Sequence, residues 1–173
     1  MARQVRRWGT QLDNSRSREV PGIDELREQL AASVPDSGAA AIVHGDYRLD
    51  NLLIAGPGEP DALRVRAVLD WEMATIGDPL ADLGLLLAYW DTLSRLPNEV
   101  SRSMGEQAGF PSGGTITGWY AQRRDADLTA LPWYVAFGLF KLAVIIEGIH
   151  YRHSLGQTVG EGYERMGEVV PLL

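Results

Sequence analysis

Eight residues in the first third of the chain concentrate its polar chemistry: His44-Gly45-Asp46-Tyr47-Arg48-Leu49-Asp50-Asn51. Asp46 can take a proton from a hydroxyl. Asn51 offers an amide oxygen, a ligand type that suits hard cations. A second carboxylate, Asp70, follows an apolar run. If residues 51–55 and 64–70 form an antiparallel hairpin, pairing Asn51 with Asp70 puts the midpoint inside Gly56-Pro57-Gly58-Glu59-Pro60-Asp61, a turn by composition. Local geometry alone then brings Asn51 and Asp70 to one end of the hairpin, beside Asp46. Oxygen ligands converging without thiolate or imidazole point to Mg²⁺. Asp50 is a rival carboxylate, read as a loop cap beside Asn51.

The elements that position these residues are short strands and longer helices. Residues 3–13 and 22–33 read as helices, the second from Ile23, Leu26, Leu30 and Val34 at helical spacing. Residues 39–43, 52–54 and 63–69 read as strands, the last alternating apolar residues with Arg64 and Arg66. Asp78 and Pro79 suit the N-cap and first position of a helix running to about Trp90. Residues 91–113 are weakly patterned. Residues 115–124 and 131–153 read as helices, with a short one within 160–172. The fold class is therefore mainly α with a small β-hairpin, an α+β arrangement, in one unit spanning residues 1–173.

Composition narrows the function classes. Sixteen Lys and Arg against 23 Asp and Glu give a net charge of −7, which disfavours nucleic acid as a partner. With no cysteine, disulfides and thiolate chemistry are excluded. The apolar stretch Leu131 to Ile149 carries Lys141 and Glu147, so a buried helix is expected rather than a membrane span. No signal-peptide pattern opens the chain, and a cytoplasmic location is the default expectation. Lys141 is the only lysine and is expected to snorkel from its helix. His150 and His153 lie three apart without an evident third ligand, so they read as surface or cleft residues. Trp71, Trp90, Trp119 and Trp133 read as core, and Glu147 as an exposed charge.

The H-x-D-x-x-x-x-N pattern of His44, Asp46 and Asn51 has the spacing of a protein-kinase catalytic loop. The segments Val43–Leu52 and Val68-Leu69-Asp70-Trp71-Glu72, followed by Gly77-Asp78-Pro79-Leu80-Ala81-Asp82-Leu83, resemble the two motifs of the aminoglycoside-phosphotransferase family. The wording is most similar to the phosphotransferase domains of acyl-CoA dehydrogenase family member 10- and 11-like proteins. Two motifs in the right order and separation make the signal specific.

The resemblance implies the C-terminal lobe of a protein-kinase-like fold. It implies an ATP-dependent phosphotransferase acting on a small-molecule hydroxyl, acyl-CoA-like or aminoglycoside-like. Asp46 would be the catalytic base, His44 would support the loop by hydrogen bonding, and Asn51 and Asp70 would hold Mg²⁺ on ATP. Asp78 would brace the catalytic loop through its backbone.

No G-x-G-x-x-G loop precedes His44, and no strand lysine stands upstream. The nucleotide-clamping N-terminal lobe is thus expected to be absent from these residues and supplied elsewhere, by a missing lobe or an oligomer partner. The isolated chain is expected to be inactive. A non-catalytic scaffold fragment is the alternative, and a metal-dependent hydrolase using Asp46 and Asp70 a weaker third.

Overall fold

A computed structural model describes residues 1–92, 109–158, 163 and 165–173. Helix α1, Ala2–Ser15, buries Val5, Trp8, Leu12 and Ser15, a stripe at helical spacing. Helix α2, Ile23–Ala32, starts after Gly22, whose φ of +81° only glycine adopts cheaply. Strand β1, Ala41–Val43, leads into the His44 loop, and one 3-10 turn, Leu49–Asn51, closes that loop. Strands β2, Leu52–Ile54, and β3, Val65–Val68, form the expected hairpin.

A second two-stranded sheet was not expected. Strand β4, Thr75–Gly77, pairs antiparallel with β1, Ile42 facing Ile76. Three residues carry no readable period of two, and the partner lies more than thirty positions away, so local pattern gives no warning.

Helix α3, Leu80–Leu87, continues as a π-helical turn over Ala88–Thr92. Helix α4 is Gly113–Arg124, capped by the Ser112 hydroxyl on the Thr115 N–H at 3.1 Å. Helix α5, Leu131–Ser154, is the axis of the molecule, and the short α6, Met166–Val169, lies against it. Much of the weakly patterned stretch 91–113 lies outside the described residues.

Core formation centres on α5. Phe137, Phe140, Ala143 and Val144 pack with Val5, Leu12, Ile23 and Leu30 of the first two helices. Leu80, Leu83, Leu87, Leu131 and Tyr134 form the adjoining cluster with α3. Two glycines set how closely α3 and α5 cross. A Cβ on Gly84 would lie 2.5 Å from the Tyr134 backbone, and one on Gly138 would lie 3.1 Å from Leu85 Cα.

The length and hydropathy of α5 suffice to cross a membrane, yet its residues supply the core of this fold. Both of its central charges are buried and partnered. Glu147 is fully buried, and Arg18 Nη2 reaches it at 2.8 Å; Lys141 donates to the Gly45 carbonyl. The expectations of an exposed Glu147 and a snorkelling Lys141 are therefore corrected. Trp90 is buried as expected, but Trp71 and Trp119 are about half exposed.

Candidate active site

The hairpin brings the two motifs together in a register one residue away from that expected. Leu52 pairs with Val68, so Asn51 faces Leu69 rather than Asp70, and the Leu69 N–H donates to the Asn51 carbonyl at 2.8 Å. A bulge between Leu53 and Ile54 offsets the strands toward the turn, and Leu63 takes a φ of +65° there. A slip of one residue sends a side chain to the other face of a ladder. The chain leaves the ladder at Asp70, which has left-handed φ and ψ of 62° and 57° and so re-aims its own side chain.

His44 is the joint between the halves. It is 3% exposed. Its Nε2 lies 2.8 Å from the Leu69 carbonyl, and its Nδ1 accepts the Asp46 N–H at 3.2 Å. A carbonyl can only accept and an amide N–H can only donate, so Nε2 carries the hydrogen and the ring is neutral. The Trp71 ring lies 4.7 Å from it, centroid to centroid. His44 therefore holds both neighbours of Asp70 and the backbone of Asp46 at once.

Asp46 is half-buried. Its Oδ2 accepts from Asn51 Nδ2 at 3.2 Å and its Oδ1 from the Tyr89 hydroxyl at 3.3 Å. Asn51 Nδ2 also donates to the Asp46 carbonyl at 2.9 Å, which fixes the amide's orientation and leaves Oδ1 for a ligand. Burial, with the Asp46 charge beside it, pushes the Tyr89 hydroxyl up to about 12. Asp50 is exposed and paired with Arg48, whose guanidinium also lies 4.5 Å from the Tyr89 ring, so this rival carboxylate is spent elsewhere.

Asp78 fills the N-cap role read from the sequence, but the loop-bracing role that the resemblance implies for it falls to another residue. Asp82, not Asp78, braces the catalytic loop: its Oδ2 accepts the His44 N–H at 2.7 Å and its Oδ1 the Gly45 N–H at 2.8 Å. Asp78 holds the start of α3 through the Leu80 N–H at 2.9 Å, and its other oxygen takes the Gly38 N–H and the Tyr134 hydroxyl. Gly45 is obligatory on two counts. Its φ is +85°, and a Cβ would lie 2.7 Å from the Met73 carbonyl. Sequence reasoning missed Tyr89 and Lys141 as members of this site. The one available signal was that the sole lysine sits on a long apolar helix.

The donor set fits a hard cation. Asp70 makes no hydrogen bond or ion pair among the described residues, and Asn51 has a free amide oxygen. Those residues contain no group of three or more His, Cys, Asp or Glu able to hold a metal. An amide oxygen and a carboxylate are donor types that Mg²⁺ accepts, with water completing its shell.

A helical body carrying a small antiparallel hairpin, with the His44–Asn51 loop and Asp70 at its end, is the architecture of the kinase-like phosphotransferase fold. The sequence profile of the phosphotransferase enzyme family matches residues 1–110, and the chain belongs to that family. Mouse acyl-CoA dehydrogenase family member 11 is 35% identical over 164 residues, covering 92% of this chain and 20% of that one. Mouse member 10 is 30% identical over 175 residues, covering 96% and 16%. A crystal structure assigned to the aminoglycoside phosphotransferases, from Ralstonia eutropha JMP134, superposes with a TM-score of 0.81 at 32% identity, covering 98% of this chain and 51% of that one. The chain thus spans about a fifth of these curated relatives and about half of the solved structure.

Proposed function

We propose that these residues form the catalytic C-terminal lobe of an ATP-dependent kinase for a small-molecule hydroxyl, with a hydroxyacyl-CoA-like acceptor favoured over an aminoglycoside. The observation that carries the reading is the junction at His44, which ties the Asp46 loop to both flanks of Asp70. Asp46 orients the acceptor hydroxyl and takes its proton. Asn51 Oδ1 and the Asp70 carboxylate hold Mg²⁺, which when bound would neutralise charge on the transferred phosphoryl group. The acceptor preference rests on similarity to the acyl-CoA dehydrogenase family members, whose names describe those proteins.

The nucleotide-covering lobe is proposed to lie outside these residues. Ile42, Leu53, Ile54, Val65 and Ile76 present exposed apolar side chains from both small sheets, a surface that packing against a further lobe would cover. The sequence has no glycine-rich loop ahead of His44.

The test is an ATP-consumption screen of the protein with its reading frame extended upstream, against hydroxylated acyl-CoAs and aminoglycosides. Asp46→Asn is expected to lower kcat by a factor of about 10² to 10⁴. Asp70→Ala is expected to abolish Mg²⁺–nucleotide binding by calorimetric titration. Unchanged nucleotide affinity in Asp70→Ala would remove it from the metal site. Robust turnover by the 173-residue chain alone would overturn the lobe assignment.

A further inference from the structure

A cavity of about 180 Å³ lies against Gly45 at the back of the catalytic loop, between α1, α3, α5 and the β1–β4 sheet. None of Asp46, Asn51 and Asp70 lines it. Trp8, Val43, Met73, Leu85 and Phe137 give it an apolar body, while Arg3, Arg7, Lys141, Asp78 and Asp82 supply its charges.

Hydrogen-bond accounting separates the two signs. Both Asp82 oxygens are taken by the His44 and Gly45 N–H groups. Both Asp78 oxygens are taken as well, by Leu80, Gly38 and Tyr134. The cations are not spent in this way. Lys141 is 6% exposed and has three N–H donors, yet its one hydrogen-bond acceptor among the described residues is the neutral Gly45 carbonyl. Its ammonium also lies 5.2 Å from the Trp8 ring. Arg3 and Arg7 stand four residues apart on the same side of α1, exposed, with no hydrogen bond or ion pair among the described residues. The Arg7 guanidinium lies 6.0 Å from the Trp8 ring centroid. Burial pushes the Lys141 ammonium down; Asp46 and Asp82 oppose that and Arg7 adds to it.

A buried ammonium with unspent donors, an apolar wall and two guanidinium groups at the rim is the recognition chemistry of an organic anion. We propose that this cavity binds a small carboxylate with an apolar body. The carboxylate sits on Lys141 and Arg7, and the body packs on Trp8, Leu85 and Phe137. The size is suitable, since an apolar cavity of about 150 Å³ holds benzene. Occupancy reaches the catalytic loop directly, because the ligand shares Lys141 with the carbonyl of Gly45, the residue before Asp46. The proposal does not depend on phosphotransfer, so its test is a binding test.

Benzoate is titrated into the 173-residue chain, followed by amide and indole ¹H–¹⁵N spectra. Saturable binding is expected, with shifts at Gly45, Asp46, Met73 and the Trp8 indole. Acetate lacks the apolar body and benzyl alcohol lacks the charge; each is expected to bind at least about tenfold more weakly. Lys141→Met is expected to raise the benzoate Kd about tenfold or more. Arg7→Gln, at an exposed position, is expected to raise it about two- to fivefold and keeps the test valid should the Lys141 variant not fold. Non-saturating shifts, equal affinity for benzyl alcohol, shifts mapping away from these residues, or an unchanged Kd in Arg7→Gln would each overturn the proposal. So would loss of benzoate binding on extending the chain upstream, which would assign the cavity to the preceding segment.

Discussion

Asp46 is set in place by four hydrogen bonds: Asn51 Nδ2 donates to its carbonyl and to Oδ2, the Tyr89 hydroxyl donates to Oδ1, and its own N–H donates to the His44 ring. Tyr89 yields a prediction at this scale. Its hydroxyl titrates at about 12 in the folded chain, above its ordinary value near 10, so the folded state holds this proton more tightly than the unfolded one. The associated stability is complete below pH about 10 and is lost as pH rises toward 12. Tyr134, raised by burial and by its bond to Asp78, acts in the same direction. Urea midpoints measured from pH 9 to 11.5 should therefore fall, and fall less in Tyr89→Phe, the difference approaching about 2 kcal/mol. Identical slopes in both proteins would show that Tyr89 is not the group responsible.

The crossing of α3 and α5 is an element-scale device that brings the Asp82 carboxylate and the Lys141 ammonium to the same loop. Alanine at Gly84 gains about 1 kcal/mol of helix propensity. Its Cβ, however, meets Tyr134 backbone at 2.5 Å, which no rotamer change relieves. Overpacking of that kind costs about 1–3 kcal/mol or more, so Gly84→Ala should destabilise. Gly118 in α4 is exposed with nothing within 4 Å of its Cβ position, so Gly118→Ala should stabilise by about 0.5–1 kcal/mol. Denaturation midpoints of the pair check both signs. The β1–β4 sheet shows what pattern reading leaves out. Ala41 to Val43 reads as a strand on its own, but its partner is selected by the α3 approach and by the turn that wraps His44.

At the scale of the whole molecule, one ion pair ties the segment after α1 to the middle of α5 and to α6. Arg18 contacts Glu147 through two nitrogens and also donates to the Gly167 carbonyl. The partners are unequal, since Glu147 is fully buried and the Arg18 side chain is 33% exposed. Removing arginine strands a carboxylate, whereas removing the carboxylate leaves an arginine that water can reach. Arg18→Ala should thus cost about 3–5 kcal/mol, and Glu147→Leu distinctly less. A calorimetric scan of the two variants tests that asymmetry, and equal losses would refute it.

Several features were legible without coordinates because the contacts that create them are local. The His44–Asn51 loop, the hairpin and its turn, the helix after Asp78 and the length of α5 all follow from spacing and composition over fewer than about two dozen residues. The loop residues and the hairpin were reachable on those grounds, but the ladder pairs Leu52 with Val68, one residue away from the expected pairing of Asn51 with Asp70. Tertiary structure decided the rest. Whether Asp78 or Asp82 braced the loop depended on the angle at which α3 approaches it. Lys141 and Glu147 look like surface charges in a one-dimensional pattern, and only the packing of α1, α3 and α6 around α5 buries them. The cavity behind Gly45 exists for the same reason: helical spacing puts Arg3 and Arg7 on one side of α1, but no local rule brings Lys141 to them.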